Sequence, residues 1–199
     1  MPVSINGQTG IITGVSVGGL PDSIVDTDML AANSVTAAKR GSNGILQIIQ
    51  HAPNSGSDNT FSTTSTSLVL VSNLNTTITP IRANSKLLIQ AQISGQNTNT
   101  TNTNVRHQCD LKRSVAGGSD SSTLQQAFTG SYGFSGSDKN AYIPYTFNLL
   151  DSPSYSLGQS IVYKFYVASD TSSNTAYVKM DSGNNVGARS TVIITEVAA

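Results

Sequence analysis

From residue 44 onward, apolar residues recur at every second position in short runs, and clusters of Gly, Asn, Asp and Ser separate the runs. Successive side chains of a strand point to opposite faces, so a period of two marks a strand with one face in a core. The period is clearest in "SKLLIQAQI" (85–93), "VRHQCDLKR" (105–113) and "SIVYKFYVA" (160–168). In the first, Leu87, Ile89, Ala91 and Ile93 face away from Leu88, Gln90 and Gln92. In the second, Val105, His107, Cys109 and Leu111 oppose Arg106, Gln108, Asp110 and Lys112. "SLVLV" (67–71), "TTITPI" (76–81), "AYIPYTFNLL" (141–150), "TAYVKM" (175–180) and "STVIITEV" (190–197) are further strand candidates. "GILQIIQ" (44–50) has apolar residues at both parities, a pattern that predicts burial on both sides.

The intervening "NSGSDN", "GQNTNTTNTN", "GGSDSS", "GSYGFSGSDKN" and "DSGNN" read as turns, because these residues tolerate φ > 0 or bond their own backbone. No helix-length pattern separates the strands, which disfavours a parallel sheet built from βαβ units. The expected fold is all-β: an antiparallel, jelly-roll-like sandwich over residues 44–199, made of about eight or nine short strands.

Residues 1–43 do not share this pattern. "MPVSINGQTGIITGVSVGGLP" has isolated apolar residues and almost no charge. Alone it could not bury enough surface to offset its ordering entropy, so residues 1–22 are expected to be an extended arm lying on another subunit or protein. In 23–43, Asp26, Thr27 and Asp28 can cap "MLAANSVTAAK", while Lys39, Arg40 and Gly41 suit a helix end. That segment reads as a short helix or stem joint, weak in isolation because it contains Asn, Ser, Val and Thr.

Charge excludes one large class of function. Eleven Lys/Arg balance eleven Asp/Glu, and charged residues make up 11% of the chain against about 25% in ordinary soluble domains. Only Lys39-Arg40 and Lys112-Arg113 are adjacent basic pairs. A nucleic-acid binder draws much of its affinity from a basic surface, and none is visible. Cys109 is alone, so no intrachain disulfide is expected. The longest aliphatic run, "LVLV", falls far short of the ~18 residues of a membrane span, and no signal peptide is visible.

Candidate chemistry is thin. "GVSVG" (14–18) matches the nucleophile-elbow pattern around Ser16, but that motif needs a strand-to-helix turn in a large α/β sheet. His107 and Cys109 share a strand face, so three copies on a threefold axis could hold zinc; a place in the core is the simpler reading. Within the sandwich the carboxylates are Asp58, Asp110, Asp120, Asp138, Asp151, Asp170, Asp181 and Glu196, mostly in turn clusters, and nothing pairs two of them for glycan cleavage. No catalytic residue, cofactor site or metal site is expected. In "GSYGFSGSDKNAYIPY" (130–145), Tyr132, Phe134 and Tyr142 stand among short polar residues, a mixture suited to stacking on sugars. Packing under the loop or at a chain interface is the alternative for these rings.

Two stretches carry a resemblance. Ser23-Ile24-Val25-Asp26-Thr27-Asp28 and Ser34-Val35-Thr36-Ala37-Ala38-Lys39 resemble the "S-I/V-T-T-x-K-L-A-D-G" units of bacteriophage tail-fibre and virion-fibre proteins, which form a thin trimeric stem. "GILQIIQ", "SLVLVSNLNTTITPIRANSKLLIQAQISG", "LLDSPS" and "STVIITEV" are similar to a distal domain of such fibres, particularly those of phages of marine bacteria and cyanobacteria. Its core runs here from Leu74 to Ile89, with "TTITP" and "SKLLI" intact, and "INGQTGI" looks like a fibre attachment segment.

The resemblance implies a virion structural protein assembled in the host cytoplasm: a short fibre or attachment protein, homotrimeric, with no enzymatic activity. Residues 1–22 would dock on other tail or head proteins. Ile24, Met29, Leu30 and Val35 would be trimer contacts, and the sandwich would face outward with host-surface glycan as a candidate partner. Head decoration, an adaptor role and a stand-alone carbohydrate-binding module are the alternatives.

Overall fold

A computed structural model of the chain describes residues 4–6, 11–13, 44–53, 60–99, 105–131, 139–179 and 190–199. Two compact units are present, Met1–Lys39 and Arg40–Ala199. In the first, Ser4–Asn6 (β1) pairs antiparallel with Ile11–Thr13 (β2), Ile5 opposite Ile12, so the described part of the arm is a small hairpin. The helix or stem segment expected over 23–43, with Ile24, Met29, Leu30 and Val35, lies outside the described residues.

In the second unit the period-two runs become the strands of an antiparallel jelly-roll-like sandwich. Lys86–Asn99 (β7) is the spine of the first sheet. Lys139–Asp151 (β10) pairs along one of its edges, from Lys139 opposite Asn99 to Asp151 opposite Leu87. Its other edge is shared end to end by Thr175–Lys179 (β12) and Thr191–Val197 (β13), with Lys179 opposite Ser94 and Thr191 opposite Gln92. Outside these lie Thr60–Thr63 (β4) on β12 and Ile45–His51 (β3) on β13.

The second sheet is built on Ile161–Ser169 (β11). Val69–Leu70 (β5) and Thr76–Ile78 (β6), joined by a 3-10 turn at Ser72–Leu74, share one edge of it. Val105–Val115 (β8) takes the other edge and Gln125–Ser131 (β9) follows. Taking β3/β4, β5/β6 and β12/β13 each as one line, the lines numbered in chain order run 1-8-3-6 in one sheet and 2-7-4-5 in the other. That is the eight-stranded jelly-roll order.

The alternation fixes the core. Leu87, Ile89, Ile93, Val192, Ile194 and Phe147 of the first sheet meet Cys109, Leu111, Ile161, Tyr163, Phe165 and Val167 of the second, all essentially buried. Phe147 and Phe165 contact edge to face across the gap, ring centroids 5.3 Å apart and planes at 67°. Each such side chain contributes about 1.5–3 kcal/mol on burial.

Side chains close the open edges. His51 Nε2 meets the carbonyl of Asn73 at 2.8 Å, and Gln47 Nε2 donates to the Thr79 carbonyl at 2.9 Å, so the outer edge of β3 is tied to the β5/β6 line of the other sheet. On the opposite side the Asn148 amide of β10 donates to Gln125 Oε1 at the start of β9.

Two readings are corrected, and two strands, β4 and β9, appear where none was expected. β7 runs on through Gly95–Asn99, expected as a turn, because β10 and β12 hold it on both edges there. β4 and β9 carry no strong period; in β9 the large apolar residue, Phe128, points to solvent, 53% exposed. β3 is not buried on both sides: Ile49 packs against the core but Ile48 is 58% exposed, because the outer face of this sheet has no layer packed on it among the described residues.

Candidate recognition surface

The register sorts the second unit into two ends. Gly44 accepts the Ala198 amide at 2.9 Å, so the first described residue of this unit lies beside the end of its last strand. The β6–β7, β8–β9 and β10–β11 connections share that end, while the β4–β5, β7–β8, β9–β10 and β11–β12 connections share the opposite one. Tyr142, on β10 opposite Gln96, belongs to the half of its strand nearer the opposite end. Tyr132 and Phe134, the other two rings expected in a receptor loop, lie outside the described residues.

Polar chemistry concentrates instead on the outer face of β11, β8 and β9. Strand register places Tyr166, Asp110 and Gln126 side by side, with Ala168, Gln108 and Phe128 in the next row. The Arg106 guanidinium lies over the Phe128 ring, 5.6 Å from its centroid, and the Lys112 ammonium lies 5.0 Å from the centroid of Tyr166. Such contacts add about 0.5–1 kcal/mol at exposed sites and hold the rings in place.

Two carboxylates anchor this face. Asp110, 2% exposed, accepts from Thr123 Oγ1 at 2.6 Å, Gln108 Nε2 at 2.8 Å and Gln126 Nε2 at 3.0 Å, all neutral donors. Asp120, from the β8–β9 loop, accepts from Lys164 Nζ at 2.6 Å and from the Tyr166 hydroxyl. Lys164 and then Tyr166 hold the Asp120 carboxyl below its ordinary range, and burial with the Asp120 charge pushes the Tyr166 hydroxyl up to about 12. The face thus offers an exposed ring, two cations, amide groups and a phenol on a rigid sheet. It can bind by hydrogen bonding, charge and stacking.

The remaining carboxylates of the described sandwich have architectural partners. Asp151 accepts both contacts of Arg113 Nη1, at 2.6 and 2.7 Å, and the Tyr163 hydroxyl at 2.7 Å. Asp170 accepts the Arg106 amide at 3.0 Å and Asn174 Nδ2 at 3.2 Å. Glu196, fully buried, accepts the Ile81 and Arg82 amides at 3.1 and 3.2 Å and Gln47 Nε2 at 2.6 Å. Beside it, Tyr155 donates its hydroxyl to the Arg82 carbonyl and accepts the Ser85 amide, at 2.7 and 2.9 Å. The "TITPIRANSK" stretch is thereby pinned at Ile81–Arg82 and at Ser85, by a pair of anchors that sequence reading missed because Glu196 and Tyr155 lie far away in the chain.

His107 and Cys109 both point inward, 1% and 0% exposed. Burial lowers the His107 pKa against the raising influence of Asp170, and burial raises the Cys109 thiol well above its ordinary value. Among the described residues neither ring nitrogen of His107 has a hydrogen-bond partner. Among the described residues no three His, Cys, Asp or Glu side chains are grouped to hold a metal ion. Ser16 lies outside those residues.

No protein-family model matches the chain, and no curated protein matches it in sequence. Among solved structures it is similar to Eiger TNF from S. frugiperda, at 17% identity and a TM-score of 0.34. The matched region covers 57% of this chain and 59% of that one, so this chain spans less than two thirds of its neighbour's length. A likeness of that extent transfers no activity or partner.

Proposed function

We propose that the chain is a non-enzymatic structural protein of a phage particle, a short homotrimeric fibre or attachment protein that works in the virion. Residues 1–22 dock on tail or head proteins, 23–43 join the three copies, and the sandwich is displayed outward. The outer face around Arg106, Gln108, Lys112 and Phe128 then meets host-surface glycan, each weak contact strengthened by multivalency. The single observation that most supports display is topological: Gly44, where the strands of the sandwich begin, is bonded to Ala198 at one end of the sandwich, so a tether leading into Gly44 enters at that end. The fibre-like "TTITP" and "SKLLI" stretches supply the particle context.

Light scattering on the full chain and on residues 40–199 tests the proposal. A trimeric full chain with a weakly associating or monomeric 40–199 is the expected result. Monomers in both would remove the fibre reading and favour a stand-alone carbohydrate-binding module, for which the polar and aromatic outer face is the supporting observation.

A further inference from the structure

The two outer faces of the sandwich differ in kind. The face of β11, β8 and β9 carries Arg106, Lys112 and Lys164. On the other sheet, three successive cross-strand rows carry no charged outward residue, from the row of Gln92 down to the row of Leu88. In the row of Leu88, register places Ile48, Thr195, Leu88 and Leu150 side by side across β3, β13, β7 and β10. Ile48 and Leu150 are 58% and 53% exposed. In the next row Gln50, Ile193, Gln90 and Asn148 are aligned in the same way. Lys179 beyond one end and Lys86 beyond the other bound the uncharged region.

We infer that this face is a contact between copies of the chain. Near a symmetry axis a side chain meets copies of itself, so a charge there faces its own sign. An amide or hydroxyl carries both donor and acceptor and can pair with its own kind. Every polar residue in the three rows is an amide or hydroxyl, and the apolar residues are aliphatic. The face is therefore chemically self-complementary, whereas the opposite one is not.

Area sets how strong the contact is. Strands about 4.8 Å apart with about 3.4 Å per residue make three rows on four strands roughly 300–400 Å². A stable interface needs about 800 Å² per partner. The face holds copies together weakly by itself and firmly only with a second tie, which the N-terminal residues supply; in this respect the inference rests on the trimer reading above.

The test is the concentration dependence of mass for the full chain, by sedimentation equilibrium, with circular dichroism to confirm folding. Leu150→Lys places an ammonium in the apolar row. Gln90→Lys does so at an exposed position without removing apolar surface, and Leu157→Lys, on the β10–β11 loop at 60% exposure, is the control. Both face variants are expected to raise the dissociation constant at least about tenfold, because a desolvated, unpaired ammonium is costly. The control leaves it unchanged. A self-associating chain whose mass is indifferent to both face variants overturns this inference and leaves the trimer reading standing. A dimer sensitive to them keeps the face and refutes the trimer, and a wild-type chain that is monomeric throughout overturns both.

Discussion

Removing the Glu196 carboxylate should unfasten the loop that leads into β7. Its oxygens accept the Ile81 and Arg82 amides and Gln47 Nε2, and the side chain is fully buried in the lattice of β13, β3 and the 79–85 loop. In Glu196→Ala two backbone donors lose their acceptor, each costing about 1–3 kcal/mol where water cannot replace it. Gln47 keeps its other contact, the Thr79 carbonyl, so its loss is smaller. The expected destabilisation is about 3–5 kcal/mol, a large share of the 5–15 kcal/mol typical of a whole domain. Glu196→Gln keeps the volume but sets an NH2 against one of the donors, and should cost about 2–3 kcal/mol. Urea unfolding followed by tyrosine fluorescence measures both, at unchanged m-value if the transition stays two-state. A loss below about 1 kcal/mol for Glu196→Ala would show that the loop stands without this anchor, and the reasoning would fail.

Other perturbations separate the remaining devices. His107 is buried and its folded pKa lies below the ordinary 6.5, so below that pH the unfolded chain takes a proton that the folded chain refuses. Stability should be fully present above about pH 6.5 and fall as pH drops toward the folded pKa, by at most about 1.4 kcal/mol per pH unit from this group. His107→Gln should flatten that slope in thermal melts between pH 7.5 and 5, and an unchanged slope would assign it to other groups. Ala116 sits at φ 51° beside Gly117 at φ 73°, with the Gly118 amide bonded to the Val115 carbonyl at 2.9 Å. Ala116→Asn should therefore raise stability by about 0.5–1 kcal/mol in urea titrations; no gain would mean that the turn is not strained. Ser190 Oγ donates to the Lys179 carbonyl at 2.7 Å and accepts the Ser94 amide at 3.0 Å, bridging the break between β12 and β13. Ser190→Ala should cost about 1–3 kcal/mol and speed hydrogen exchange at the Ser94 amide, whereas unchanged exchange would deny the bridge a role.

Much of the fold was legible because burial on one face writes a period of two into the chain. β7, β8 and β11 alternate cleanly, and their inward sets are the core. Pattern failed where tertiary pairing decided. "GQNTN" has turn composition, yet ladders on both edges of β7 make it strand, and β9 has its phenylalanine outside rather than inside. β3 misled in the opposite sense, since its extra isoleucine faces outward rather than into a second layer.

The candidate surface was less legible, for a reason rooted in topology. Arg106, Gln108, Asp110 and Lys112 were readable as one outward set from their spacing alone. What gives that set its character comes from β9 and β11: Phe128 under Arg106, Tyr166 under Lys112, and Gln126 on Asp110. Gln126 lies one hairpin away, but Tyr166 reaches β8 only after the chain has crossed to the other sheet and back through β10. In a jelly roll, strands adjacent in a sheet are mostly distant in sequence, so periodicity reveals which residues face outward but not which neighbours they meet. The same rule hid the uncharged face. Ile48, Leu88, Leu150 and Thr195 come from four separate segments, and nothing in any one of them says that it lies beside the others. Lys86 and Glu196 lie within two residues of that row, one beyond its end and the other turned inward, so the neutrality is a property of the sheet and exists only once the register is set.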